Sequence, residues 1–135
     1  NHDPQNWETI MLALRERYRG HNRVTVVFHQ REYSVVEHGE VAIFIHHGDK
    51  RPPKDMAMFC AAECPEIWGR TRYRVLITGH VHHLKADEFP GIYWLQMPAL
   101  TVRDHYASGA FKSHPLIMAL TFDRLSETTR NTVRV

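Results

Sequence analysis

The sequence predicts an α/β fold with a mixed sheet, on three observations. A helical pattern opens the chain, helical and β-branched segments interleave before strands dominate, and YRVLITG at 73–79 holds an unbroken apolar stretch at Val75-Leu76-Ile77. Continuous apolar runs of that length suit strands buried on both faces, and the interleaving suits helices layered on a sheet. The chain has 135 residues, which fits one domain with its own core. It starts at Asn1 without a Met, so its natural amino terminus is expected further upstream. Hydrophobic content of 43% and charged content of 24% are ordinary for a globular protein, and a net charge of +2 does not by itself argue for nucleic acid. No stretch approaches the roughly 18–20 apolar residues of a membrane span, so no membrane role is expected.

Residues 3–20 read as a helix. Asp3-Pro4 is a start signal, and Trp7, Ile10, Met11, Leu14 and Tyr18 share one face, expected to contact the core. Gly20 stops the helix after Arg15, Arg17 and Arg19, which sit near the negative end of its dipole. Three strand-like runs follow at 23–29, 31–37 and 40–46. His38-Gly39 lies between the last two and predicts a tight hairpin, with Gly39 supplying the positive φ. A second helix is expected over 54–68, with Met58, Phe59 and Ala62 apolar. Cys60 and Cys64 read there as small buried thiols in a reducing cytoplasm, because two cysteines are too few for a disulfide framework. Strands are expected again at 73–79, 92–97, 115–122 and 130–135.

The unusual count is histidine, 11 of 135, scattered too widely for a purification tag. Three clusters line up by position. Asn1-His2-Asp3 precedes the first helix, His46-His47-Gly48-Asp49 follows one strand, and Gly79-His80-Val81-His82-His83 follows another. In open α/β sheets, loops converge on a site at the carboxyl ends of strands. His80 and His82, two apart in an extended segment, would point to the same side and meet one metal or a close metal pair. Neutral imidazole suits Zn, Mn, Fe, Co or Ni.

Read in order, these clusters resemble the calcineurin-like metallophosphoesterases, whose motifs run D-x-H, G-D-x-x-D, G-N-H-[DE], a single His, then G-H-x-H. Asn1-His2-Asp3 is similar to the third motif, HHGDK at 46–50 to the fourth, and Gly79-His80-Val81-His82 to the fifth. The first two motifs, which supply the first metal's Asp and His and the bridging carboxylate, do not occur in this sequence. The resemblance therefore implies a single partial domain over 1–135, the C-terminal half of a four-layer α/β/β/α sandwich with a mixed sheet. It implies two divalent ions, manganese first with Fe, Zn, Ni or Co as alternatives, and hydrolysis of phosphomono- or phosphodiesters. Asn1, His47 and His80 would hold the second metal and His82 the first. His47 is preferred to His46 because it directly precedes Gly-Asp. His2 would serve the leaving oxygen as catalytic histidine, with Asp3 orienting it. An exposed apolar sheet face is expected of such a half-sandwich, and with it self-association.

The remaining candidates carry less. Lys50 and Arg51 follow the ligand turn and are expected to be solvated, with substrate phosphate the alternative. Arg70, Arg72 and Arg74 form a basic strip that would suit a nucleic-acid strand, or equally an exposed strand edge. Asp104-His105-Tyr106 reads as a capping or packing loop, His83 as a bystander, and His21, His29, His38 and His114 as surface or turn residues. The expected partner is a phosphate-ester substrate, nucleotide or nucleic acid included. The competing reading is a non-catalytic metal-binding or interaction remnant. A mononuclear hydrolase using His80, His82 and Asp87 ranks last, for want of a general base.

Overall fold

The computed structural model describes residues 4–27, 31–99 and 115–134. The chain divides into two compact units, Asn1–Arg31 and Glu32–Val135. In the first, α1 spans Pro4–Arg17, three residues shorter at its end than expected. Beyond it the Tyr18 and His21 amides still bond back to Leu14 and Tyr18, and Gly20 takes the left-handed φ of +75° that ends the turn. The apolar stripe expected to face the core is unevenly covered, with Met11 and Tyr18 half-buried. Trp7 is 58% and Ile10 50% exposed, and Leu14 is exposed as well. Helical spacing shows that residues share a face, and says nothing of whether anything covers it. The strand expected at 23–29 does not form over 23–27, which runs as turn and coil; residues 28–30 lie outside the described set.

In the second unit a five-stranded sheet has the order β1-β2-β3-β5-β4. Its strands are β1 Tyr33–His38, β2 Val41–His46, β3 Tyr73–Thr78, β4 Lys85–Phe89 and β5 Ile92–Gln96. The central pairs β2/β3 and β3/β5 are parallel and the outer pairs antiparallel, so the sheet is mixed as expected. The β1–β2 hairpin turns on Gly39-Glu40. Of the two, Gly39 has the positive φ (+64°), the pattern of a turn with glycine first. A side chain at Gly39 would also strike the Arg124 carbonyl. KADEF of β4 escapes a reading by periodicity, because an edge strand with three charges among its five residues, four of the five exposed, carries no apolar alternation.

The expected helix at 54–68 is two helices, α2 Pro53–Glu63 and α3 Pro65–Arg70. Pro65 excludes helical dihedrals at Cys64, which sits at φ −132°, ψ 57°. The buried stripe is Met56, Ala57, Cys60 and Cys64, with Phe59 packed against it, whereas of the other apolar residues Met58 is 73% exposed and Ala62 is exposed too. Spacing alone did not choose between two apolar faces. Cys60 and Cys64 are free and buried, as expected. This stripe packs on one face of the sheet, against Tyr33, Ala42, Phe44, Leu76, Ile92 and Trp94.

A two-stranded sheet, β6 Leu116–Phe122 and β7 Glu127–Arg134, belongs to the same unit. Arg130 of β7 donates to the Tyr93 hydroxyl (3.1 Å) and lies over its ring, and the Glu40 amide donates to the Arg124 carbonyl (2.7 Å). These contacts put β6–β7 on the sheet face opposite the helices. Val75 and Leu76 point to opposite faces and both are wholly buried, so β3 is covered on each side. Val36 and Ile45, nearer the sheet's β1 edge, remain exposed. Among the described residues no helix is long and apolar enough to cross a membrane.

Candidate metal centre

Parallel pairing places His46 opposite Thr78, so β2 and β3 end level and release their loops side by side. The Gly79 amide donates to the His47 carbonyl (3.0 Å) and ties the two loops together. Gly48, at φ +98°, lets the first loop pass close to Thr78, where a Cβ would come within 3.2 Å of the threonine's own. The second loop is held from below: buried Gln96 donates through Nε2 to the His83 carbonyl (2.9 Å).

Across this junction His47 Nε2 and His80 Nδ1 stand 3.2 Å apart, with ring centroids 5.0 Å apart. That separation fits a hydrogen bond between two neutral imidazoles. It equally fits two ligands of one ion, since Zn–N bonds of about 2.0–2.1 Å at a tetrahedral angle put the nitrogens roughly 3.4 Å apart. The donor chemistry thus fits two corners of a divalent-metal site. Among the described residues no group of three or more His, Cys, Asp or Glu is arranged to hold a metal ion, so His82 does not complete one with this pair.

The expected extended geometry at His80 and His82 is not what forms. Both take left-handed backbone, at φ +67° and +60°, and the Val81 amide bonds to the Gly79 carbonyl (2.9 Å) in a tight turn. Among the described residues these are the two non-glycine positions with positive φ. Side chains rarely adopt that region, and such strain collects at functional sites, where surrounding structure enforces it. An HVHH run carries no signal for this; a glycine or asparagine would have announced it.

The neighbouring histidines separate cleanly. His46 is 4% exposed, set edge-on to Phe59, and accepts the Gly48 amide on Nδ1 (2.9 Å), while His47 is exposed and faces His80. Burial holds His46 below the usual imidazole pKa against the pull of Asp49 and Glu32. At Asp49 burial opposes ionisation, but its own backbone N–H and the charges of His47, Lys50 and His80 prevail and leave the carboxyl below its ordinary value. Lys50 is ion-paired to Glu32, and Arg51 lies over the Phe59 ring (4.3 Å). Glu32 was not singled out from the sequence, although counting back from the Gly39 turn sets its neighbour Tyr33 opposite His46.

Asn1, His2 and Asp3 lie outside the described residues, as do His29, Asp104-His105-Tyr106 and His114. Asp87 is exposed on β4 and bonds the Glu88 amide. The arginine strip is engaged internally. Arg70 forks onto Glu37 (2.6 Å twice), Arg72 pairs with Glu40 (3.4 Å), and Arg74 caps the Trp68 and Gly91 carbonyls (3.1 Å each) while stacked on Trp68.

No family model matches this sequence, and no curated protein matches it either. Solved structures do match. Zinc-complexed wild-type Vps29 from Entamoeba histolytica aligns over 84% of this chain and 66% of its own, at 20% identity and a TM-score of 0.53. The D62A variant of that protein aligns over 83% and 66%, at 19% identity and a TM-score of 0.51. This chain therefore spans just under two thirds of those proteins' length. Vps29 is a member of the calcineurin-like metallophosphoesterase superfamily. The mixed α/β fold of this chain is the fold of those proteins.

Proposed function

We propose that this chain is the C-terminal part of a metal-dependent phosphoesterase that hydrolyses phosphomono- or phosphodiesters at a dinuclear centre. The observation that carries the reading is the approach of His47 Nε2 and His80 Nδ1 to 3.2 Å where two parallel strands end. In it, Asn1, His47 and His80 hold one divalent ion and His82 the other, with manganese first among the candidates. Two bound divalent ions supply an acidified water and positive charge facing the phosphoryl oxygens. His2 donates a proton to the leaving oxygen, and Asp3 fixes its orientation. The substrate is a phosphate ester, with nucleotides and nucleic-acid ends in range. A cytoplasmic setting agrees with the two free, buried thiols.

A second reading has its own support. Vps29 is a trafficking protein, and among the described residues no group of three or more His, Cys, Asp or Glu is arranged to hold a metal ion. On that reading the site binds one metal, or none, without turnover.

Metal content by mass spectrometry, on untagged protein and on His80→Ala, separates the two. The enzyme reading expects bound metal, at least tenfold weaker in His80→Ala, together with metal-dependent hydrolysis of p-nitrophenyl phosphate or its bis ester. Metal without turnover selects the remnant. No metal in either protein removes both metal roles.

A further inference from the structure

Next to the His47–His80 pair, two buried donors face no acceptor. Among the described residues, the buried side-chain nitrogens and oxygens with no hydrogen-bond partner are His46 Nε2 and Arg51 Nη1. The tautomer of His46 is fixed. Its Nδ1 accepts the Gly48 amide, so the neutral ring carries its proton on Nε2, and Nε2 is a donor. Both side chains pack on the same ring, His46 edge-on to Phe59 and Arg51 over its face. A buried donor left unmade costs far more than an ordinary hydrogen bond returns, so native proteins rarely leave two together.

One carboxylate stands among these donors and does not satisfy them. Glu32 gives one oxygen to Lys50, and its other oxygen is 4.0 Å from Arg51 Nη1, an ion pair too long for a hydrogen bond. Its carboxyl is held below the ordinary range first by the Lys50 bond, against the opposing effect of burial, with the charges of Lys50 and Arg51 adding to the pull. Two oxygens in one plane thus serve an ammonium and a guanidinium, with His46 and Arg51 both packed on the Phe59 ring beside them. A tetrahedral oxyanion presents four oxygens where a carboxylate presents two.

We propose that Lys50, Arg51 and His46 Nε2–H form a seat for a phosphate dianion, with the Glu32 carboxylate standing in it as a weaker internal occupant. The seat rests on the phosphoesterase reading for its use, as a holder of a phosphate group beside the metal pair. It does not rest on the metal for its existence. Glu32 makes it selective, because an entering anion must carry enough charge and enough oxygens to displace a carboxylate already paired.

The test is a phosphorus-NMR titration of inorganic phosphate into chelator-treated protein, alongside the nitrogen resonance of His46 Nε2–H. Glu32→Gln removes the competing charge and is expected to bind phosphate about tenfold tighter than the parent chain. Adding Arg51→Gln to that variant is expected to reverse the gain. In the unmutated protein, saturating phosphate is expected to shift the His46 Nε2–H signal, a readout that needs no variant to fold. Equal affinity in all three proteins, or a His46 signal that does not move, would show that these donors serve Glu32 alone and would overturn the seat. Because metal is stripped throughout, a failed metal centre leaves the titration intact. A failed seat likewise leaves metal uptake by His47 and His80 as it was.

Discussion

The helix-covered face of the sheet and the loops at its carboxyl edge are built by opposite logics. On the covered face, Phe44, Leu76 and Trp94 lie buried against Met56 and Cys60, while the Trp94 indole donates to Thr78 Oγ1 (2.8 Å) and the Tyr33 hydroxyl to Glu63 Oε2 (3.3 Å). A few ångströms on, where β2 and β3 end, two histidines sit in left-handed backbone and two buried donors lack acceptors. Local rules hold throughout the first region and are broken repeatedly in the second. Proteins tolerate such violations where a site requires them and offset them with the rest of the fold.

The largest effect that would sharpen this contrast is in the covered face. Phe44→Ala should cost about 3–5 kcal/mol in urea denaturation, the range for removing a buried aromatic side chain. Metal uptake per folded molecule should not change, because the lost ring packs on Trp68 and the core beneath α2. A loss below about 1 kcal/mol would mean the face is loosely packed and the contrast is false.

The next effect is one of pH. Burial first, then the neighbouring Cys64, push the Cys60 thiol up from 9.0 to about 12. The folded state therefore keeps a proton that the unfolded state releases above pH 9. Stability from this group is complete below pH 9 and is lost as pH rises towards 12, with a slope of at most about 1.4 kcal/mol per pH unit. Cys60→Ala should flatten that part of the urea-midpoint profile. If the two profiles run parallel from pH 8 to 11, Cys60 is not sealed in the core.

These two regions were also unequally legible. The β1–β2 hairpin could be read from His38-Gly39, and burial of β3 on both faces from its unbroken apolar run. The site's location followed from histidines placed after strands. What escaped reading was always a matter of what lies opposite. The α1 stripe has helical spacing yet Trp7, Ile10 and Leu14 within it are exposed, Met58 and Met56 are equally apolar with one of them buried, and β4 carries the charges Lys85, Asp87 and Glu88 on an edge strand. Within the site, the left-handed turn at His80 and His82 has no glycine to mark it, and Glu32 enters only through the register that sets Tyr33 against His46. Periodicity records a residue's direction, while partners come from non-local pairing.

The smallest predicted effect is the most direct probe of the difference. A side chain in left-handed backbone costs on the order of 1 kcal/mol, and glycine there costs nothing sterically but adds freedom to the unfolded chain. His82→Gly should therefore stabilise the protein by about 0.5–1 kcal/mol. Val81→Gly, one residue away at a position without positive φ, should destabilise it by a similar amount. Urea midpoints for the two variants should move in opposite directions. Two shifts of the same sign would mean that the turn is relaxed and that its histidines are placed there at no cost. If His82 is a ligand, the same His82→Gly protein should be more stable and bind less metal, and that divergence would mark the strain as maintained for binding and not for folding.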